Sequence, residues 1–285
     1  MVSPRWGVAL VLLVVAPRLA AAADLPAPSS PAPAAPDWII TVGVESRILP
    51  QWPGSSDSRL GFTALPLFSV RKEGTPPAFF GPRDSFGFPI LDLGVFKLGP
   101  ALRFIGDRQA QNYKELYGLG SVGYAAQAGG FAEYWPASWL RLRGEVRQGF
   151  GGETGVTGDA FLDAVVPFGQ WTLSGGPRMT LQSAAAVAPY FSITAAQAAG
   201  TAQLATLTGQ PALAAYNASG GLYSYGAGTQ ALYRFSPQWE AHAFIEYERL
   251  TGSVADSPLV TQRGSPNQFT YGLGASYAFS MRPWW

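Results

Sequence analysis

The stretch Phe269-Thr-Tyr-Gly-Leu-Gly-Ala-Ser-Tyr-Ala-Phe279 alternates without a break. Phe269, Tyr271, Leu273, Ala275, Tyr277 and Phe279 share one face, and Thr270, Gly272, Gly274, Ser276 and Ala278 share the other. Successive side chains of a strand point to opposite sides, so this segment has one broad apolar face and one small or polar face. It is longer than the five or six residues usual in soluble sheets and matches the length that crosses a tilted bilayer. A strand buried in lipid on one face cannot leave its edges unpaired, so the sheet it belongs to must close.

Working outward, the same period recurs. Trp171, Leu173, Gly175, Pro177, Met179 and Leu181 oppose Gln170, Thr172, Ser174, Gly176, Arg178 and Thr180. Leu140, Leu142, Gly144 and Val146 oppose Arg141, Arg143, Glu145 and Arg147; Trp239, Ala241, Ala243, Ile245 and Tyr247 oppose Glu240, His242, Phe244, Glu246 and Glu248. Aromatic residues cluster at segment ends (Trp38, Trp135, Trp139, Trp171, Tyr233, Phe235, Trp239, Phe279), where a membrane barrel carries its interfacial girdles. The pattern predicts an all-β fold, a transmembrane antiparallel β-barrel over residues 38–279. Strands are expected near 38–47, 60–71, 77–82, 85–91, 95–106, 121–134, 139–149, 158–168, 170–181, 220–235, 239–250 and 267–279. That gives about twelve strands, or ten if the pair around Phe79 to Ile90 does not form. Short turns then fall on the periplasmic side and long loops outside, the usual asymmetry of such barrels.

Composition agrees. Of 285 residues 47% are apolar and only 13% charged, against roughly 25% charged in soluble domains. Nineteen Lys and Arg against 18 Asp and Glu leave no basic excess for nucleic acid, so none is expected as a partner. With no Cys, disulfides, thiolate metal sites and cysteine catalysis are excluded. After residue 23 no run of 18 apolar residues occurs, which excludes a helical span there. Residues 1–23 read as a secretory signal, with Arg5 before the apolar Val8 to Val15 and Ala21-Ala-Ala23 at the cleavage site. Residues 24–37 form a Pro/Ala-rich periplasmic lead-in that tends to polyproline II. Residues 280–285 make a short C-terminal extension.

Several stretches together resemble the MipA/OmpV family of outer-membrane proteins. They are Tyr190-Phe-Ser-Ile-Thr-Ala-Ala-Gln-Ala198, Gly221-Leu222, Trp239 to Gly252, Ala255-Asp-Ser-Pro-Leu-Val260, Asn267-Gln-Phe269 and Gly272 to Phe279. The N-terminal half adds Pro50-Gln-Trp52-Pro-Gly-Ser-Ser-Asp57, Leu65-Pro66, Gly106-Asp-Arg108 and Leu119-Gly120. The resemblance implies an outer-membrane barrel of a Gram-negative bacterium, with lipid and the barrel-assembly machinery as partners. It further implies a scaffold that brings a lytic transglycosylase and a murein synthase together, or a role in envelope stress or adhesion. Family chains usually stop at the terminal aromatic, so Phe279 and Trp285 compete as the residue the assembly machinery would read.

Chemistry is sparse. The single histidine, His242, has no Gly-x-Ser-x-Gly elbow to serve, and a lone His among carboxylates is more often a hydrogen-bonded filler than a catalyst, so no catalytic residue is expected. One His and no Cys remove the usual zinc sets; Asp57, Asp107, Asp159 and Asp256 are read as turn residues of outer loops rather than as Ca²⁺ ligands, and no metal or cofactor is expected. The lumen charges say more. Lys97, Arg103, Arg141, Arg143, Arg147 and Arg178 fall on three strands, with Glu240, Glu246 and Glu248 on a fourth across the wall. In a narrow interior such charges either pair into a plug or line a polarised path. Pairing is the first reading, because unpaired charges there are costly. The alternative is a narrow diffusion channel for small polar or anionic solutes, with Arg141, Arg143 and Arg147 as its selective wall. In the long outer loop 182–219, Ala195 to Thr208 is read as a short helix whose role the sequence leaves open.

Overall fold

The computed structural model describes residues 38–63, 68–73 and 78–281. The expected signal segment, the lead-in and residues 282–285 lie outside them. The strands are β1 (Trp38–Pro50), β2 (Ser58–Thr63), β3 (Ser69–Lys72), β4 (Leu91–Asp92), β5 (Phe96–Ile105) and β6 (Ala125–Ala137). They continue with β7 (Leu140–Gly151), β8 (Val156–Phe168), β9 (Trp171–Gln182), β10 (Gly221–Arg234), β11 (Trp239–Leu250) and β12 (Asn267–Met281). All pair antiparallel in one twelve-stranded sheet of order β2-β1-β12-β11-β10-β9-β8-β7-β6-β5-β4, with β3 also on β1. β1 pairs with β2 and β3 on one side and with the last strand on the other, so the first and last strands of the chain are neighbours as in a barrel, and among the described residues no ladder joins β2 or β3 to β4 or β5. The two ends of this path follow one another along the chain, and the Phe68 and Phe86 rings meet between them, 6.1 Å apart. This is the barrel that the alternation demands.

The period of two sorts side chains as expected. On β7, Val146 is 62% exposed on the outer face while its neighbour Arg147 is 0% exposed inside. No helix among the described residues is long and apolar enough to cross a membrane. β6 to β7, β8 to β9 and β10 to β11 are joined by short turns at one end; the β1–β2, β5–β6, β9–β10 and β11–β12 links at the other end are longer. Strand β12 runs past residue 279, with Met281 opposite Trp38.

The strands expected at 77–82 and 85–91 are corrected. Within 78–90 the described backbone makes a single β-bridge, Phe86 to Leu102, and the strand expected there shrinks to β4. Pro82 and Pro89 lack the N–H a ladder needs, and Arg83 and Asp84 are adjacent charges that alternation would send one to each face. The sheet still counts twelve because the described residues of the expected strand 60–71 belong to two strands, β2 and β3.

The long links fold into a cap with its own apolar core. In the loop after β9, α1 (Ala184–Phe191) and α2 (Ala195–Thr208) form, the second over the predicted span. In the β11–β12 link lie α3 (Gly252–Ala255) and α4 (Pro258–Arg263). Helix α2 starts on a capping box: Thr194 Oγ1 accepts from the Gln197 N–H at 3.2 Å, and the Thr194 N–H donates to Gln197 Oε1 at 2.8 Å. It stops at Gly209, whose φ of 66° is the left-handed geometry of a helix end.

Candidate functional site

The lumen is the first candidate. β7 supplies Arg141, Arg143, Glu145 and Arg147, all buried on its inner face. Arg141 is 0% exposed and bonds three carboxylates: Asp84 at 2.6 Å, Glu133 at 2.8 Å and Asp163 at 3.1 Å. Arg143 bonds Glu145 at 2.8 Å and Glu133 at 3.3 Å, and its guanidinium lies 3.9 Å from the centre of the Phe131 ring. Arg147 pairs with Glu145 and Asp159, and Arg103 reaches Asp159 at 3.4 Å. Arg178 bonds Asp163 at 2.6 Å and lies 3.7 Å from Glu246. A buried guanidinium facing several carboxylates compensates its desolvation far better than a single exposed pair does.

The described structure corrects the charge separation read from the sequence. Acidic residues are not confined to β11: Glu45, Glu133, Glu145, Asp159 and Asp163 stand on β1, β6, β7 and β8 among the arginines. Asp159 is no outer-loop residue but a buried member of β8. Alternation around Thr157, Phe161 and Asp163 on β8, and around Gln127 and Phe131 on β6, was the signal that would have placed these carboxylates inside. Two sequence-derived candidates sit outside the network. Lys97 pairs with Asp92 at 3.7 Å beside the β4–β5 turn, and Glu240 pairs with Arg234 at 3.6 Å near the start of β11 while accepting from Ser276 at 3.0 Å.

The segment that failed to become a strand fills the lumen instead. The Pro82 carbonyl accepts from Arg47 at 3.2 Å. Arg83 pairs with Glu248 at 3.3 Å and donates to Thr180 at 3.3 Å, while its carbonyl accepts from Arg103. Asp84 takes Arg141, and Ser85 donates to Glu145 through its N–H at 3.1 Å and its hydroxyl at 2.6 Å. Residues 82–85 thus tie β1, β5, β7, β9 and β11 together from within, as a strap. His242 completes the lumen by bonding Glu45 Oε2 at 2.6 Å, and no serine hydroxyl bonds to it among the described residues. No group of three or more His, Cys, Asp and Glu among the described residues is placed to hold a metal.

The cap is the second candidate, and the family-like motifs converge on it. Trp52, Leu116, Leu119, Ile193, Leu213 and Leu259 form one buried cluster; Val187, Tyr190, Phe191, Val254 and Val260 belong to a second. Arg108 donates to the Tyr190 carbonyl at 2.7 Å and the Pro189 carbonyl at 3.2 Å, so it caps the C-terminal end of α1. Burial with no carboxylate partner pulls the Arg108 guanidinium down to about 10. Burial likewise pushes the Tyr190 hydroxyl up to about 12 and lowers Arg263, which donates to the Pro211 and Glu115 carbonyls.

An antiparallel barrel with an apolar exterior, an ion-paired interior and a folded loop cap defines an outer-membrane protein of a Gram-negative bacterium. The model of the family described as MltA-interacting protein MipA matches residues 42–279. The chain belongs to that family. Solved structures similar to it include an outer membrane channel from Pseudomonas putida F1 (11% identity, 88% of this chain and 100% of that one, TM-score 0.42). The NanC porin (9%, 84% and 98%, 0.37) and the KdgM porin (11%, 85% and 99%, 0.36) are further examples. No curated protein matches the chain at a significant level.

Proposed function

We propose that the protein is a non-enzymatic, closed barrel that works as an envelope scaffold, holding a murein hydrolase of the lytic transglycosylase class, and with it a murein synthase, at the outer membrane. The family description names an interaction with MltA and supplies the partner class. The observation that carries the reading is the lumen: Arg141 and Arg147 are fully buried among carboxylates, and the strap bonds into the same network through Asp84 to Arg141 and Ser85 to Glu145. A barrel filled in this way offers its surfaces rather than its interior. Affinity capture from native envelopes tests it. Recovery of a lytic transglycosylase is expected, and its absence under conditions that retain other envelope complexes would refute the scaffold.

A narrow channel for anions finds less support, because every lumen arginine named above already has a carboxylate within 4 Å. A hydrolase reading finds less still: His242 bonds a glutamate, and a triad needs a nucleophile beside the base. Phospholipid or peptidoglycan hydrolysis that vanished in His242→Ala would overturn this part of the proposal.

A further inference from the structure

Most lumen charges stand in ion pairs, but a few buried polar atoms lack a hydrogen-bond partner: Arg143 Nη2, Asp163 Oδ1, Arg178 Nε and, most completely, both oxygens of Glu246. Glu246 is 5% exposed, and neither of its carboxylate oxygens has a hydrogen-bond donor; the Gln230 Oε1 in the same stretch of wall is also unpartnered. Arg178, whose Nε lies 3.7 Å from Glu246, makes its shorter ion-pair contact, at 2.6 Å, with Asp163. The wall leaves room here. Gly176 stands opposite Gly228, and Gly228 opposite Glu246, so the wall directly beneath the carboxylate carries no side chain, and Arg178 is the β9 side chain beside it, at 3.7 Å. A Cβ at position 228 would come within 2.0 Å of Glu246 Oε1. Two residues along the same face, Glu248 takes its cation from the strap residue Arg83.

Subtracting the strap therefore changes the lumen unevenly. Arg141 keeps Glu133 and Asp163, and Arg143 keeps Glu133 and Glu145, so the arginine side stays neutralised. Glu248 loses Arg83 and keeps only the hydrogen bond from Ser224, beside Glu246, which has no hydrogen-bond donor and Arg178 at 3.7 Å as its cation. Rings and rows of acidic side chains select cations. We propose that residues 82–85 are the plug of a cation-selective pathway along β11, with Glu246 as the site within it that takes a small monovalent cation. This is opposite in sign to the anion path that an arginine ladder suggests, and it does not depend on the scaffold reading.

Planar-bilayer recordings under a KCl gradient test the proposal, with four proteins. They are the wild type, a strap variant with residues 82–85 replaced by glycines, a cap variant with residues 183–220 replaced by a short Gly-Ser turn, and the combination. Heat-modifiable electrophoretic mobility and circular dichroism select folded barrels before recording. The strap variant, alone or combined with the cap variant, is expected to conduct in discrete steps with a reversal potential of cationic sign. Adding Glu246→Gln is expected to reduce the cation-to-anion permeability ratio severalfold. Silence of the folded combined variant, conduction by the cap variant alone, or a reversal potential of anionic sign would each overturn it. A wild type that conducts would instead contradict the closed-barrel reading.

Discussion

Arg141 in the lumen and Arg108 in the cap are both buried, and the two regions hold them in opposite ways. Arg141 faces three carboxylates, whereas Arg108 faces two backbone carbonyls at the end of a helix and no carboxylate. In the lumen, charge answers charge, and apolar residues such as Phe131 and Phe161 serve as platforms for guanidinium groups. In the cap, the apolar clusters carry the packing, and cations finish off helix and loop carbonyls. The difference follows from solvent history. A barrel spends its apolar side chains on lipid, so its interior is left with polar ones that must satisfy each other. The loops lie beyond the bilayer and fold as a small water-soluble domain does.

The largest effect is expected from breaking the lumen's hub. Arg141→Met takes the shared cation from Asp84, Glu133 and Asp163 at once, leaving Asp84 with only Arg143, at 3.8 Å, as a cation, and removing one partner of a buried pair costs about 3–5 kcal/mol. Urea unfolding in lipid vesicles should show the whole barrel weakened by about that amount. A loss confined to the cap would break the contrast. Next comes Arg108→Met, which removes charged hydrogen bonds worth about 1.5–3 kcal/mol each, but only from the cap. Hydrogen exchange should speed up across α1 and the β5–β6 link while the strands stay protected. Thr194→Ala removes the N-cap of α2 at about 1 kcal/mol, read as faster proteolysis within residues 195–208 and no change in barrel unfolding.

The smallest effect sharpens the boundary between the regions. Glu153, in the short β7–β8 link, has its carboxyl raised above its ordinary 4.5 by burial, against the opposing hydrogen bond from Gln127. The folded state therefore holds the proton longer than the unfolded chain does. Stability should fall as pH rises from about 4.5 through the raised folded value, and be flat above it. Glu153→Gln should remove this slope from a pH series of unfolding midpoints. An unchanged slope would place its origin elsewhere.

The wall was legible in the sequence because lipid imposes period two, and Val146 beside Arg147 needs nothing more to be sorted. Helix α2 was legible from composition between its Thr194 start and Gly209 stop. The strap was not, since Phe79 to Ile90 keeps enough alternation to imitate strands; Pro82, Pro89 and the adjacent Arg83 and Asp84 were the contrary signs. The carboxylates of β6 and β8 were hidden differently. Asp159 and Asp163 stand among small and apolar neighbours, and only the face assignment brings them to the arginines. The cap's role in gathering Trp52, Tyr190 and Leu259 rests on contacts between links far apart in the chain, which no local period reports.

One measurement bears most directly on the account that paired charges close this barrel. Purified, folded wild-type protein in a planar bilayer should give no discrete conductance steps across the range of voltages at which porins conduct. Reproducible single-channel steps from that protein would contradict it.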